Sequence, residues 1–147
     1  MSVKLGDEMK LYYCADGIGG TPDWTELTVV RDVKLNGSKG EGDASTRGGG
    51  RWKATVGTLK EAGIEFEVVW DTDDPGFVAF MDSYFADTLI GLAVTDGPID
   101  ESGTRVFKAD CEVFQFNRNE PLEGIVTVNV TAKPTYSANQ PSFSTVA

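Results

Sequence analysis

Apolar and polar side chains alternate in several separate stretches of the chain, and this alternation limits the fold more than any other feature of the sequence. Between Ile64 and Trp70, apolar residues occupy nearly every second position, with Glu65 and Glu67 between them. A period of two residues is typical of β-strands with one buried face. The same pattern, less regular in places, predicts six or seven strands: Met9–Tyr13, Glu26–Leu35, Trp52–Thr58, Ile64–Trp70, Thr88–Val94, Arg105–Phe116 and Glu123–Lys133.

One stretch follows a helical period instead. Apolar side chains recur there at positions i, i+3, i+4, i+7 and i+8, which predicts an amphipathic helix from about Pro75 to Ala86 that packs on a sheet. Asp73 or Asp74 is expected to cap it, with Pro75 at the first helical position. The predicted packing face consists of Phe77, Phe80, Met81, Tyr84 and Phe85.

Together these elements indicate a mainly β protein, an antiparallel β-sandwich or partial barrel with one flanking α-helix. The 147 residues are expected to form one domain, residues 1–134, followed by a C-terminal tail at 135–147. The tail is polar and aperiodic, so we expect it to become ordered, if at all, on a neighbouring molecule. Within Arg105–Phe116 the apolar face shifts by one residue, which predicts a β-bulge.

The segment Asn36–Gly50 interrupts the strand pattern with six glycines among fifteen residues and no large apolar side chain. We predict a long loop there, because this composition neither forms a helix nor fills a core. Loops longer than about 12–15 residues tend to be functional or disordered.

The charge of this region differs from that of the rest of the chain. From Lys34 to Lys53, which we call the basic arm, five bases oppose two acids, giving +3 in a chain whose net charge is −10. From Glu61 to Glu101 there are eleven acids and no base. A basic arm beside an acidic body suggests docking onto a second copy of the chain; the alternative is a solvated hairpin loop with chance charges. The charged residues of the arm are Lys34, Lys39, Glu41, Asp43, Arg47, Arg51 and Lys53.

The chain lacks the residue types on which most catalytic and metal-binding sites depend. The chain has no histidine, and Cys14 and Cys111 are expected to be buried, reduced thiols. The spacing of Asp71 and Asp73 resembles the start of a calcium loop, but Pro75 stands where a further ligand is needed. We expect no enzymatic activity and no cofactor. The chain also has no 18-residue apolar run and no signal-peptide pattern, so we expect no membrane partner and synthesis in a cytoplasm.

The order and spacing of the segments resemble the tail tube (major tail) proteins of long-tailed phages and prophage-like elements. Asp32–Leu35 ends a strand, and Ser45–Arg47 lies late in the charged loop. Trp52–Leu59 and Ile64–Asp71 follow, and Asn119–Gly124 forms a hairpin before a last strand rich in Val and Thr. The resemblance extends over roughly residues 26–134 and depends on no single motif.

This resemblance implies a β-sandwich with a flanking helix. It also implies rings of six copies whose inner sheets join into one barrel, stacked into a virion tail tube. By position, Asn36–Gly50 would be the loop that reaches the adjacent ring. The family also implies tape measure, terminator and tip proteins as partners, DNA that passes through the lumen without specific binding, and no catalytic residues. We expect an acidic docking surface or lumen face at Glu65, Glu67, Asp71, Asp73 and Asp74.

Two other functions remain open at this point. One is the inner tube of a contractile tail or a type VI secretion-like system, which shares this architecture. The other is a small-ligand-binding β-barrel, which needs an apolar pocket inside one monomer. The net charge of −10 is compatible with DNA sliding past the protein, because a basic surface would hold phosphates through counterion release.

Overall fold

The fold is described by a computed structural model that covers residues 3–19 and 22–146. These residues contain one α-helix, eight strands and two short 3-10 turns, Gly6–Glu8 and Arg47–Gly49. The longer elements are β1 (Lys10–Cys14), β2 (Thr25–Glu26), β3 (Val30–Asp43), β4 (Thr55–Val69), α1 (Pro75–Ala86), β5 (Ile90–Thr95), β6 (Arg105–Asn119), β7 (Thr127–Pro134) and β8 (Ser142–Thr145).

All strand pairs are antiparallel and belong to one sheet with the order β2-β1-β5-β6-β7-β4-β3. β8 pairs with Arg105–Lys108 of β6, and β7 pairs with Cys111–Asn119. This arrangement confirms the predicted mainly β, antiparallel fold with one helix. The predicted bulge is present in β6, where the register with β7 shifts between Val113 and Gln115.

The bounds of helix α1 agree with the capping residues in its sequence. The backbone N–H of Phe77 donates to the Asp74 carboxylate at 3.0 Å, so Asp74 is the N-cap. Capping of this kind satisfies a backbone donor that has no partner within the helix. The helix ends at Ala86, and the C-cap residue Asp87 adopts the left-handed conformation with φ of 57°.

The helix packs its aromatic residues against the sheet to form the main core. Phe77 and Phe80 are fully buried, and Phe80 makes an edge-on contact with Phe66 at a centroid distance of 5.0 Å. Met81 and Tyr84 are partly buried against the same cluster. The expectation that Phe85 shares this face is wrong, because its side chain is 72% exposed.

The interpretation of Asn36–Gly50 as a loop throughout is wrong for its first half. β3 continues to Asp43 and pairs with the N-terminal part of β4. Backbone hydrogen bonds join these strands without any need for apolar side chains. Glycine also permits close approach here, since a Cβ atom on Gly40 would collide with the Thr58 side chain.

The strands predicted at Trp52–Thr58 and Ile64–Trp70 are largely one continuous strand, β4. Lys60–Gly63 lies between the two predicted strands, so the sequence pattern implies a turn there, but these residues lie inside β4. The apolar pattern is lost over these residues because they lie beyond the body of the sheet, where no core selects apolar side chains. Pairing with β3 nevertheless continues without a break in this part of β4.

The C-terminal segment is also more ordered within the monomer than its sequence indicates. We expected an unpaired tail at 135–147, whereas Ser142–Thr145 forms β8 on the edge of β6. Gly103 N–H donates to the Val146 carbonyl, and Val146 N–H donates to the Thr104 carbonyl, both at 2.8 Å. β7 does not pair with the first residues of β6, and the C-terminal segment fills that place.

The two halves of the sheet differ in how they are covered, and this difference positions the candidate site. In the half formed by β1, β5 and the start of β6, one face contributes to the main core. The other face carries a second cluster of Tyr12, Ala93 and Val106, with Trp24 and Val146 packed against it. The half formed by β3, β4, β7 and the end of β6 contributes only one face to the core.

Candidate assembly surfaces

The uncovered face of that second half carries polar side chains from four neighbouring strands. Lys34 of β3 pairs with Glu65 of β4, which pairs in turn with Thr131 of β7, and Thr131 pairs with Gln115 of β6. Odd-numbered residues of β4 and β7 face this side, because Ile64, Phe66 and Val68 are buried on the other. We call this surface the polar face; its members are Arg31, Asp32, Lys34, Asn36, Glu65, Glu67, Gln115, Asn117, Asn129, Thr131 and Lys133.

Both predicted carboxylates of the polar face have polar or basic neighbours. Glu67 lies 3.7 Å from the Arg31 guanidinium, and Glu65 accepts a hydrogen bond from the Asn36 side chain at 3.1 Å. Lys34 lies directly opposite Glu65 on the adjoining strand. The face is therefore mixed in charge, with amides and hydroxyls between the charged groups.

The four-stranded half has an unpaired edge on each side. At one side, β3 pairs with β4 and is the last strand in the order. At the other, β6 pairs with β5 only from Val106 to Cys111, so Glu112–Asn119 pairs with β7 alone. Among the described residues, no other strand pairs with either edge. Unpaired edges of this kind present backbone donors and acceptors to another chain.

The basic arm pairs with residues 55–63 of β4, and together they project from the body as a two-stranded ribbon. Its side chains are almost all exposed from Lys34 to Lys53, and β4 pairs with β7 only from Ile64 onwards. A two-stranded hairpin is at best marginally stable by itself in water. The projecting part of the arm therefore lacks the packing that stabilises the rest of the sheet.

Hydrogen bonds within the arm define its tip, residues 44–54. Ala44 N–H donates to the Ala54 carbonyl at 2.9 Å, and Ala54 N–H donates to the Ser45 hydroxyl at 2.8 Å. The Asp43 carboxylate accepts from Ser45 N–H, and hydrogen bonding by Ser45 lowers the pKa of Asp43 below its usual value. Gly50 adopts a φ of 82°, a conformation that favours glycine. The tip is thus a formed turn.

Like charges face each other in the middle of this two-stranded ribbon. Lys39 of β3 lies directly opposite Lys60 of β4. Like charges in directly opposed positions destabilise a strand pair. Both side chains are exposed, and the described part of the chain places no acid in a salt bridge with either. An anionic partner outside the monomer would remove this repulsion.

The five predicted acids do not form one surface. Glu65 and Glu67 belong to the polar face, whereas Asp71, Asp73 and Asp74 lie in the turn between β4 and α1. Within that turn the Asp71 carboxylate accepts from Asp73 N–H at 3.0 Å, and Asp74 caps the helix. Asp73 remains exposed.

Sequence reasoning missed several residues of these surfaces. Gln115, Asn117 and Asn129 were not singled out, although Gln115 and Asn117 flank the half-buried Phe116 on β6 and Asn129 lies between the buried Val128 and Val130 on β7. Arg31 was not singled out either, because the irregularity between Val30 and Val33 that places its guanidinium beside Glu67 has no clear signal in the sequence.

The described residues offer little for catalysis. They contain no cluster of three or more potential metal ligands. Burial raises the pKa of the Cys111 thiol to about 12, so it is protonated and unreactive at neutral pH. In residues 3–19 and 22–146, no helix has the length and apolar character needed to span a membrane.

The fold of the described residues is similar to that of tail tube proteins in solved structures. No protein-family model matches the chain, and no curated protein sequence matches it. Similarity to solved structures is extensive in coverage but low in sequence identity. One is the tail of an empty gene transfer agent particle, refined with C6 symmetry, with a TM-score of 0.71 and 12% identity over 99% of this chain and 100% of that one.

Two further solved structures have the same architecture. The SPP1 tail tube protein matches with a TM-score of 0.71 and 12% identity, covering 89% of this chain and 75% of that one. A chain of the anti-feeding prophage baseplate matches with a TM-score of 0.66 and 4% identity, covering 100% of this chain and 97% of that one.

Proposed function

We propose that this protein is a structural subunit of a phage-type tail tube, which self-assembles into stacked rings around a hollow bore for DNA delivery. One observation carries the proposal: a four-stranded half-sheet has an uncovered polar face bounded by two unpaired edges. The similarity in fold to the gene transfer agent tail and the SPP1 tail tube supports the same role. This role is mechanical and requires no catalytic residue.

Ring closure follows from the two edges. If the β3 edge of one copy pairs with the Glu112–Asn119 edge of the next, every copy extends the sheet by four strands. Closing a sheet on itself removes the edges that would otherwise pair without limit. We propose that each ring contains six copies, in line with the C6 symmetry applied to the gene transfer agent tail.

The polar face then lines the bore. Its amides and hydroxyls hydrate well, and its bases are balanced by Asp32, Glu65 and Glu67. A lining with no excess of basic groups holds phosphates weakly, because few counterions are released on contact. DNA can therefore slide through without specific binding. This refines the acidic-lumen hypothesis, since Asp71, Asp73 and Asp74 lie outside the lining.

The basic arm links consecutive rings. It extends beyond the body of its own subunit and lacks packing partners there, so contact with the next ring would stabilise it. A head-to-tail contact repeated along one axis produces a filament. The assembled protein belongs to the virion tail, with tape measure, terminator and tip proteins as further partners.

An inner-tube protein of a contractile tail or type VI secretion-like system is the second candidate, favoured by the similarity to a chain of the anti-feeding prophage baseplate. A sheath protein that binds the assembled tube would distinguish it. The ligand-binding barrel is disfavoured, because Phe77 and Phe80 fill the space between helix and sheet.

Hydrogen exchange of monomers and assembled tubes tests the proposal. Peptides from residues 30–36 of β3 and 112–119 of β6 are expected to exchange quickly in the monomer and at least tenfold more slowly in the tube, because their free edges become paired. The control is β5, which already pairs with β1 and β6 and should change little. Equal exchange of both edge peptides in monomer and tube would refute edge-to-edge closure.

A further inference from the structure

The tip of the basic arm presents an aromatic side chain that has no place in its own subunit. Trp52 is 89% exposed, and the hydrogen bonds of the tip remain within the hairpin. Arg51 and Lys53 flank it, and the tip contains three bases and no acid between residues 44 and 54. A large exposed aromatic side chain between cations is a suitable anchor for an interface, where Trp and Arg are over-represented among the dominant contacts.

A groove of about 470 Å³ lies between α1 and the start of β5. Its apolar lining includes Pro75, Val78, Ala79 and Leu89. Two exposed carboxylates, Asp73 and Asp82, line the same groove. Apolar walls combined with acidic groups match the composition of the tip.

We propose that Trp52 of one copy inserts into this groove of a second copy in the adjacent ring, with Arg51 and Lys53 near Asp73 and Asp82. The inference rests on the proposed function and specifies which surface receives the arm. Burial of the indole supplies most of the affinity, and the charge pairs fix its orientation.

Charge decides between this groove and another cavity. A cavity of about 550 Å³ lies between the arm and the C-terminal segment, and its lining includes Phe107 and Phe143. Lys39 and Lys60 also line it, against Glu61 alone among acids. A tip with three bases is repelled there and attracted to Asp73 and Asp82.

The position of the groove fits a contact between stacked copies. The tip precedes Thr55, the first residue of β4, whereas Asp73 and Pro75 follow Val69, its last residue. The 15 residues of β4 span roughly 45–50 Å at about 3.3 Å per residue. The Asp73–Pro75 end of the groove therefore lies far from the tip along β4, and each copy can donate its tip to one neighbour and accept a tip from another.

Photocrosslinking in assembled tubes tests the inference. With p-benzoylphenylalanine in place of Trp52, irradiation is expected to give covalent multimers whose crosslinked peptides map to residues 73–90. The control carries the same probe in place of Tyr136, which is also fully exposed, and should not crosslink to 73–90. If the tubes form but the Trp52 probe crosslinks elsewhere, this docking is refuted and the tube proposal stands; if the unmodified protein forms no tubes, the tube proposal itself fails.

A charge exchange gives an independent result that does not depend on the probe. Arg51→Glu is expected to raise the protein concentration needed for tube formation by about tenfold. Adding Asp82→Arg should recover most of the loss, because the pair is restored with opposite signs. Trp52→Ala is expected to raise that concentration by about tenfold or more, and Tyr136→Ala to leave it within about twofold. A double variant no better than Arg51→Glu alone would overturn the pairing.

Discussion

Reversing three charges of the basic arm, by Lys39→Glu with Arg47→Glu and Arg51→Glu, is expected to prevent ring stacking while leaving the subunit folded. All three side chains are exposed, so the core is untouched. The arm changes from basic to acidic and then repels an acidic receiving surface, and like charges brought together in an interface cost several kcal/mol. The yield of sedimentable tubes should fall at least tenfold, with single rings or monomers remaining by electron microscopy.

A variant of the same net charge separates this effect from general repulsion. Each reversal changes the charge by −2, so three reversals take the chain from −10 to −16. Lys4→Glu with Arg105→Glu, Ser102→Asp and Gln140→Glu gives the same −16 from exposed positions outside the arm and the polar face. It is expected to keep most of the tube yield. Tubes of unchanged length and yield from the arm variant would show that its charges do not guide stacking.

Phe80→Ala is expected to cost about 3–5 kcal/mol of the free energy of unfolding, because it removes a fully buried ring and leaves a cavity. The lost contacts include edge-on packing with Phe66 and a tilted contact with Tyr13 at 5.9 Å. Urea denaturation of the monomer measures the loss. For a domain of this size the total is about 5–15 kcal/mol, so the variant should be close to unfolding at 37 °C.

Phe85→Ala is the matched control on the same helix. Its side chain is mostly exposed, with ring contacts to Tyr84 and Phe116 at the surface. We expect a loss within about 0.5–1 kcal/mol. Similar losses for the two variants would mean that the helix does not pack as described.

The helix was predictable because its signals are local. Asp74, Pro75 and the spacing of the aromatic residues determine where it begins and which face packs, all within twelve residues. Phe85 was misassigned because it lies at the edge of the apolar stripe. The position of β6 determines which side of a wide apolar stripe reaches the core. The sequence of the helix carries no information about that position.

The arm and the C-terminal segment were misread because their order depends on backbone pairing. Glycines and charges between Asn36 and Asp43 resemble a loop, but β4 supplies hydrogen-bond partners regardless of side chain. Ser142–Thr145 lacks periodicity and is ordered by the free edge of Arg105–Lys108. Hydrophobic patterning does not report pairing of this kind.

The candidate site was predictable only in part. The basic arm and Glu65 and Glu67 could be chosen from charge and alternation. The unpaired edge at Glu112–Asn119 could not, because it arises where β5 stops pairing with β6 after Cys111, and strand order is a property of the whole chain. The α1 groove likewise depends on how the helix lies against β5.

A cryo-electron microscopy reconstruction of particles formed by the purified, concentrated protein tests the central claim most directly. We expect hollow tubes of stacked rings in which β3 of each subunit pairs with β6 of the next, and in which Glu65, Glu67, Asn117 and Asn129 face the bore. A protein that stays monomeric at every concentration, or tubes that turn this face outward and leave the two edges unpaired, would contradict the account.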